Sequence, residues 1–536
     1  MDVVATEAAP AWPSACGKAV PRIGSQPDKR CHLARDIAVE MFPTAWCTGF
    51  IRAMQDAPGP RVDRGDIPER RRGPQAQDDD TKARRLAYQR FTQALSVLTT
   101  ALAAADGARP LPRVDLATRE YTPEVLAEKL RAPIAREVLD PEPVPVTPCA
   151  LDELDGLFAH LQADLPVKRQ TPFARGTLMP DGRLDLCKQV VGPAGIAPLL
   201  DAMGHSRQVK RLLLGNNIVG DGGAEAIARF IRARQDSPLD CWYIAGNHFT
   251  AEGIRPVCEA LADDRRVRAL WLKRNPLRAA GMAPLAEMLR RNQTLEVLDL
   301  VNCGLLDEGL ETLLGALRGP GANKTLRHLY VGTNGVTARS AAALADYIAG
   351  DCALESLYLS CNRLGDEGVE AIAPALAVNR TLRRVSFASN RIGPRGAAAL
   401  ARALAENTSI ALLDLGFTKA TVAVGELGNL LGDDGAHAMA WLLERNGTLR
   451  VLDLLHNYIS QRGVNAIRSA LARNTSLVSL QLTQFGRVHN EPGREEVKAL
   501  LARNRAALTP SALDDARRLE LPDHIAEIYS VYRTHV

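Results

Sequence analysis

The sequence lacks the patterns that mark the common classes of enzyme. Its 536 residues include no G-x-x-x-x-G-K-[ST] phosphate loop, no H-E-x-x-H zinc motif and no G-x-S-x-G nucleophile elbow. The histidines are scattered, and His456, close to Asp453, has no evident nucleophile near it. We therefore expect a protein that is not an enzyme, with no catalytic residues, no cofactor and no metal site.

Membrane and secretion signals are also missing. No apolar run approaches the roughly 20 residues that a membrane-spanning helix needs. The opening residues lack the basic and then apolar order of a secretory signal. The ten cysteines include no C-x-x-C pair, so we expect free thiols in a reducing compartment. These absences favour a cytoplasmic protein, or one delivered into a host cell by a non-classical secretion route, with no membrane contact.

Charge of one sign is not in excess. The net charge is +4, with 66 basic and 62 acidic residues, so we expect no nucleic-acid partner. Aromatic residues make up only 4% of the chain. A low aromatic content is typical of a core that Leu and Ala fill repetitively.

What the sequence has is a repeated ladder of leucines that ends in asparagine. One copy is Leu354, Leu357, Leu359, Asn362 and Leu364, in the pattern L-x-x-L-x-L-x-x-N-x-L. The Asn-equivalent positions recur at steps of 28 to 31 residues, with one step of 39, at Gln189, Asn217, Asn247, Asn275, Cys303, Asn334, Asn362, Asn390, Thr418, Asn457 and Phe485. A fixed period of this length predicts a solenoid.

Each repeat predicts a strand, a turn and a helix. Alternating residues such as Leu357-Tyr358-Leu359 indicate a short strand, and the following Asn is expected to bond the backbone of the turn. Helical spacing then follows, as at Val369, Ile372 and Leu376. The helix is wider than the strand, so the stack must curve with its strands inside. A second set of asparagines precedes the strands, and we expect these to favour the left-handed turn at the helix end.

The repeat length and pattern resemble those of ribonuclease-inhibitor-like leucine-rich repeat proteins, whose repeats carry a full outer helix. The resemblance covers residues of about 170–505. It implies an α/β fold, namely a curved leucine-rich repeat solenoid of about 11 strand-helix repeats. It says little about function, because the family includes inhibitors, an activator of the Ran GTPase, immune receptors and bacterial effectors.

Segments outside the repeats divide the chain further. We predict a disordered arm at 1–80, a helical N-terminal region at 81–168, the solenoid at 169–505 and a C-terminal helical cap at 506–536. The step of 39 places about 11 inserted residues after Thr418. Such an insertion is either a loop at the binding face or a neutral surface loop.

One side chain per repeat, between the two strand leucines, is expected to point to the concave surface. This column reads Leu213, Tyr243, Trp271, Asp299, Tyr330, Tyr358, Ser386, Asp414, Asp453 and Gln481. Tyr and Trp are enriched at binding hot spots, although here they could simply cover each other across strands. We predict that a protein partner binds Tyr243, Trp271, Lys273, Arg274, Asp299, Tyr330, Tyr358, Asp414 and Asp453.

The function that these patterns favour is that of a protein-protein interaction scaffold that binds a partner on its concave face. One alternative is a bacterial effector or regulator whose N-terminal region acts on a target that the repeats select. Another is a GTPase-activating protein of the Ran-activator type, for which Arg274 beside Asn275 is a positional candidate.

Overall fold

The computed structural model describes residues 128–141, 147–482 and 493–532. They belong to one compact unit, which begins at Asp115. The predicted arm, most of the predicted helical region at 81–168, and Phe485 lie outside the described residues.

Within the described residues, thirteen strands form one sheet whose spatial order follows the chain order. The first two strands pair antiparallel. The second strand also pairs antiparallel with the third, and from the third strand to the thirteenth each strand pairs parallel with the next. The bounds are β1 Thr171–Pro172, β2 Thr177–Leu178, β3 Arg183–Asp185, β4 Arg211–Leu213, β5 Cys241–Tyr243, β6 Ala269–Trp271, β7 Val297–Asp299, β8 His328–Tyr330, β9 Ser356–Tyr358, β10 Arg384–Ser386, β11 Leu412–Asp414, β12 Val451–Asp453 and β13 Ser479–Gln481. Eleven parallel strands confirm the predicted α/β solenoid of about eleven repeats.

Helices alternate with the parallel strands. The α-helices are α1 Arg136–Leu139, α2 Asp155–Gln162, α3 Gly192–Met203, α4 Gly220–Ala233, α5 Ala251–Leu261, α6 Met282–Arg291, α7 Leu306–Leu314, α8 Ala341–Ala349, α9 Gly365–Val378, α10 Pro394–Leu404, α11 Lys419–Ala423, α12 Gly432–Leu443, α13 Gln461–Arg473, α14 Arg494–Ala506, α15 Pro510–Glu520 and α16 Asp523–Ala526. Short 3-10 helices span Leu151–Leu154, Ala279–Gly281 and Ala338–Ser340. Helix α9 buries Val369, Ile372 and Leu376, as its spacing predicts.

The core lies between the strands and the outer helices. One continuous cluster of buried apolar side chains runs from Leu154 to Leu501. Packed helices need about 8–10 Å of separation, whereas paired strands need about 4.8 Å, so the strand side is concave. Among the described residues, no helix is both long enough and apolar enough to cross a membrane.

A ladder of buried asparagines follows the strands. In Asn217 the side-chain amide donates to the carbonyl of Leu186 at 2.8 Å, and its oxygen accepts from the backbone amide of Val191 at 2.8 Å. The oxygen of Asn275 accepts from the backbone amide of Asn247 at 2.9 Å, so each amide joins neighbouring repeats. Cys303 takes the position in one repeat, where its thiol contacts the Leu272 carbonyl at 3.4 Å. The predicted role of these positions is confirmed.

The prediction that Thr418 belongs to this ladder is wrong. Asn429, not Thr418, completes the repeat of β11, because its amide donates to the carbonyls of Phe387 and Leu415 at 3.0 and 2.9 Å. Its oxygen accepts from the backbone amide of Asn390 at 2.8 Å. The insertion therefore lies between β11 and the ladder asparagine, and it contains α11.

A second ladder of asparagines lies where each outer helix meets the next strand. Asn292 donates to the carbonyls of Leu261 and Asp264 and accepts from the backbone amide of Leu295 at 2.7 Å. The expected left-handed backbone is wrong, because φ is −71° and ψ is 131° at this residue. The same bonding recurs at Asn323, Asn379, Asn407, Asn446 and Asn474.

Candidate protein-binding surface on the concave face

The structure aligns the predicted concave column in one row. Tyr243 pairs with Leu213 on one side and with Trp271 on the other, and Trp271 pairs with Asp299. The row continues through Tyr330, Tyr358, Ser386, Asp414, Asp453 and Gln481. A parallel sheet without register slips places equivalent residues side by side.

Four members of the row form an aromatic stripe: Tyr243, Trp271, Tyr330 and Tyr358. Their ring centroids lie 6.1, 5.6 and 4.5 Å apart in that order, and the last pair is stacked with an interplanar angle of 8°. The rings therefore do cover each other across the strands. They are also covered from outside, because Tyr243 and Trp271 are only 7% and 2% exposed.

The cover is the C-terminal segment, residues 510–532, which includes α15 and α16. The His524 ring lies 6.1 Å from that of Trp271, and its Nε2 lies 2.7 Å from the Tyr330 hydroxyl. Ile528 is buried in one apolar cluster with Cys241, Tyr243 and other stripe neighbours. The segment that was predicted to be a terminal cap thus packs on the concave side of the sheet.

Polar side chains of the solenoid hold the backbone of the C-terminal segment. The Arg384 guanidinium donates to the carbonyls of Arg518 at 2.9 Å and Leu519 at 3.3 Å, at the end of α15. A cation at the carbonyl end of a helix is favourable, because the unsatisfied carbonyls carry partial negative charge. Arg183 donates to the carbonyl of Tyr529 at 2.8 Å.

Two carboxylates take part in the same contact. Asp185 accepts from the Ser530 hydroxyl at 3.0 Å and from the Val531 backbone amide at 2.7 Å. Arg211 of β4 forms an ion pair with Glu527 at 2.8 Å. The hydrogen bonds and this ion pair specify the position of the segment along the concave face.

Outside the aromatic stripe, the predicted residues differ in exposure. Lys273 and Arg274 are exposed directly after β6, whereas Asp299 is buried and accepts from the backbone amide of Val301 at 2.8 Å. Asp414 accepts from the Ser386 hydroxyl at 2.6 Å. The basic pair is therefore the accessible part of the predicted site next to the stripe.

Asp414 and Asp453 lie on adjacent strands and approach each other above Gly416. A Cβ at Gly416 would collide with the Asp453 carboxylate and would lie 3.2 Å from that of Asp414. Burial, and secondarily the charge of Asp414, raises the pKa of Asp453 to about 7. Burial also raises the pKa of Asp414. The pair is electrostatically unfavourable when both groups are ionised.

The insertion has a contact that sequence reasoning missed. Residues 128–141, the N-terminal segment, pack on the loops that follow the strands. Arg363 donates to the carbonyls of Ala132 and Pro133 at 2.8 and 2.9 Å, and Arg391 donates to that of Leu130 at 3.2 Å. The long step after Asn390 was the available signal, but nothing in the pattern indicated what the extra residues contact.

Glu426, in the insertion, orients both of these arginines. Its two carboxylate oxygens accept from Arg363 and Arg391, each at 2.7 Å, and its side chain is 4% exposed. Val138 is buried with Cys361 and with Val424 of the insertion. The insertion therefore completes a seat for the N-terminal segment.

The fold, the asparagine ladder and the concave column are those of a leucine-rich repeat solenoid, and its repeats are similar to those of the ribonuclease-inhibitor-like subtype. The family model described as "Leucine Rich repeat" matches residues 291–314, 351–373 and 378–401. These matches contain the strands β7, β9 and β10.

Individual relatives agree with this class. The chain is 32% identical over 173 residues to the ribonuclease inhibitors of Mus musculus and Sus scrofa, which covers 32% of this chain. It is 35% identical over 97 residues, or 18% of the chain, to leucine-rich repeat-containing protein 73 of Homo sapiens, and spans 31% of that protein. The chain spans only 37% of the length of the ribonuclease inhibitors. An internalin structure from Listeria monocytogenes is similar over 63% of this chain and 98% of its own, at 15% identity and a TM-score of 0.33.

Proposed function

We propose that the solenoid is a protein-interaction scaffold that binds a polypeptide segment of a protein partner on its concave face. The observation that supports this proposal is the seating of the C-terminal segment against the aromatic stripe. The concave face already binds a helix and the turn that follows it, and solenoid side chains donate to the backbone of that segment. The same side chains could bind a similar segment of a partner. Lys273 and Arg274, exposed beside the stripe, and Asp414 and Asp453 further along the row would orient the partner.

The row on the concave face combines four aromatic rings with acidic side chains, and the basic pair Lys273 and Arg274 follows β6 beside it. Tyr and Trp supply large contact area at a low entropic cost, and charges fix the orientation of a partner. The alternatives of an acting N-terminal region and of a Ran-type activator gain no support from the described residues.

The test is affinity capture with quantitative mass spectrometry from cells that make the protein. Replacement of the aromatic stripe by Ala is unsuitable alone, because removal of a buried Trp costs about 3–5 kcal/mol of stability. The better variant is the exposed pair Lys273→Glu with Arg274→Glu. Its matched control is Arg229→Glu with Arg402→Glu, an equal charge change at exposed positions on α4 and α10.

We expect a protein that the wild type and the control capture equally and that the concave variant captures at least tenfold less. Circular dichroism should be identical for all three. A partner that the concave variant retains and the control loses would move the binding surface to the outer helices and would contradict the proposal.

A further inference from the structure

The contacts between the C-terminal segment and the solenoid differ in kind from the contacts between neighbouring repeats. We propose that it is an exchangeable occupant of the concave face, which a protein partner displaces with a polypeptide segment of similar chemistry. This inference rests on the proposed function and adds the regulation of that site. Until the partner binds, the chain covers the aromatic stripe with its own residues.

The core of the solenoid is complete without the C-terminal segment. The main apolar cluster ends at Leu501 in α14 and includes no residue of 510–532. Leu519 and Ile528 belong instead to two small clusters on the concave side. Departure of the segment would therefore expose the concave face but would not open the layer between strands and helices.

The bonding pattern is that of a ligand and not that of a repeat. Neighbouring repeats are joined by backbone ladders, as between Leu272 and Asp299 at 2.8 Å. The C-terminal segment is held through solenoid side chains, among them Arg384, Arg183 and Asp185. Arg384 is itself only 6% exposed, and its partners are two carbonyls and the Ser356 hydroxyl. A buried charge with neutral partners recovers hydration when the segment leaves, which favours exchange.

The contacts also specify what a competing segment must offer. It needs a helix that ends above Arg384, so that its terminal carbonyls accept from the guanidinium. It then needs a ring to pack on the stripe where His524 does, an acidic residue for Arg211 and an aliphatic residue for the pocket of Ile528. In the C-terminal segment these features follow in that order within residues 518–528.

Exchange of this kind weakens partner binding by a predictable factor. The apparent dissociation constant is the intrinsic one divided by the fraction of molecules whose face is open. Only residues 507–509 connect α14 to α15, and a short tether of this kind gives an effective concentration of order millimolar. A variant that undocks the segment should therefore bind any competitor at least tenfold more tightly.

The experiment uses the full chain and a fluorescein-labelled peptide of residues 507–532. Ile528→Ser removes a buried anchor at 6% exposure, and Leu521→Ser is the control in the same segment at 57% exposure. Fluorescence anisotropy measures peptide binding to the wild type and to both variants. Hydrogen exchange with mass spectrometry follows residues 510–532 and the strands β5 and β6 in the same proteins.

We expect Ile528→Ser to bind the peptide at least tenfold more tightly than the wild type and Leu521→Ser do. We also expect amide exchange in 510–532 to accelerate at least tenfold, while β5 and β6 stay protected. If 510–532 and the strands exchange together in Ile528→Ser, the segment is an integral part of the fold and the proposal is overturned. Equal peptide binding by all three proteins would also overturn it.

The two proposals fail separately. In one outcome, the peptide binds the opened concave face, but capture of no protein depends on Lys273 and Arg274. This outcome would support exchange and contradict the proposed function. A captured protein that binds the wild type and Ile528→Ser with equal affinity would leave the function intact and remove exchange. Exchange of segments between two copies, seen as a dimer by light scattering, would replace the partner with a second copy and contradict the inference.

Discussion

The imidazole ring of His524 stacks on that of His328, with centroids 4.0 Å apart. One ring belongs to the C-terminal segment and the other to β8. Burial, followed by the charge of Arg384, lowers the pKa of His524 to about 4. Burial, followed by the charges of His524, Arg384 and Arg327, lowers the pKa of His328 to about 3. Both rings are therefore neutral at pH 7 when the segment is docked.

This pair predicts that acid weakens docking. The undocked histidines take up protons below about pH 6.5, whereas the docked ones do not until about pH 4. The stabilisation of the docked state is therefore fully present above pH 6.5 and is lost as the pH falls toward 4. The positive charges of Arg327 and Arg384 disfavour protonation of the two rings. Both rings line a cavity of about 320 Å³, and the carboxylates that line it with them favour their protonation: Asp240, Glu296, Glu355, Asp523 and Glu527.

The fluorescence of Trp271 reports this change, because the indole lies beside His524. The fluorescence of Trp271 is obtained by subtracting the emission of Trp271→Phe from that of the wild type. We expect it to change between pH 6.5 and pH 4.5, with a shallower profile in His524→Gln because one titrating group is gone. Superimposable profiles for the wild type and His524→Gln would show that the histidine pair does not govern docking.

Asp453 predicts a pH effect of the opposite sign. Its pKa rises from 3.8 to about 7 in the folded chain, so folding takes up a proton between those values. The free energy of unfolding therefore falls as the pH rises from about 4 to 7. Asp453→Asn should raise the melting temperature by roughly 2 °C at pH 8 and have little effect at pH 4. Calorimetry at both pH values checks this, with the exposed Asp434→Asn as control; equal shifts at the two pH values would contradict it.

Asn429 should matter far more to stability than Thr418. Asn429→Ala leaves the Phe387 carbonyl and the backbone amides of Asn390 and Ile392 without their buried partner, whereas the Leu415 carbonyl keeps its bond from Asn457. Because each unsatisfied buried group costs about 1–3 kcal/mol, we expect a loss of about 3 kcal/mol or more. Thr418→Ala loses one hydroxyl contact to Thr421 and should cost about 1 kcal/mol or less. Urea unfolding measures both, and a larger effect at Thr418 would contradict the assignment of Asn429 to the ladder.

Glu426 is predicted to control the N-terminal segment. Glu426→Ala leaves the guanidiniums of Arg363 and Arg391 without their shared buried carboxylate, which costs about 3–5 kcal/mol for broken buried pairs. Amide exchange at residues 130–139 should accelerate. The control Glu259→Ala breaks an exposed ion pair with Arg232 and should cost about 1 kcal/mol or less. Unchanged exchange at 130–139 in Glu426→Ala would show that the segment is held independently.

Much of the fold was predictable because its period is carried by residues that have one physical role. Leu357 and Tyr358 alternate across a strand, and Asn362 bonds two repeats, so register and concave column follow from counting. Counting failed at Thr418, since an insertion between β11 and Asn429 keeps the strand pattern but delays the ladder residue by 11 positions. A short polar residue at the expected place concealed the delay.

The cover on the concave face could not be predicted in the same way. The residues around His524 and Ile528 have helical spacing but no repeat, so the pattern indicates a helix without indicating which surface it meets. Strand alternation predicts that the aromatic stripe lies on the concave side and not in the core. It does not indicate whether another segment of the chain covers that side. Whether the stripe binds a partner remains a prediction.

The second asparagine ladder has a consequence for protein modification. Asn292, Asn323, Asn379, Asn407, Asn446 and Asn474 each begin an N-x-[ST] sequence, the acceptor for N-linked glycans. Each amide nitrogen that would carry the sugar is instead a buried donor to backbone carbonyls of the preceding turn. A glycan attached before folding would remove that donor and could not fit into the turn. Folding of the solenoid and glycosylation at these six sites are therefore mutually exclusive.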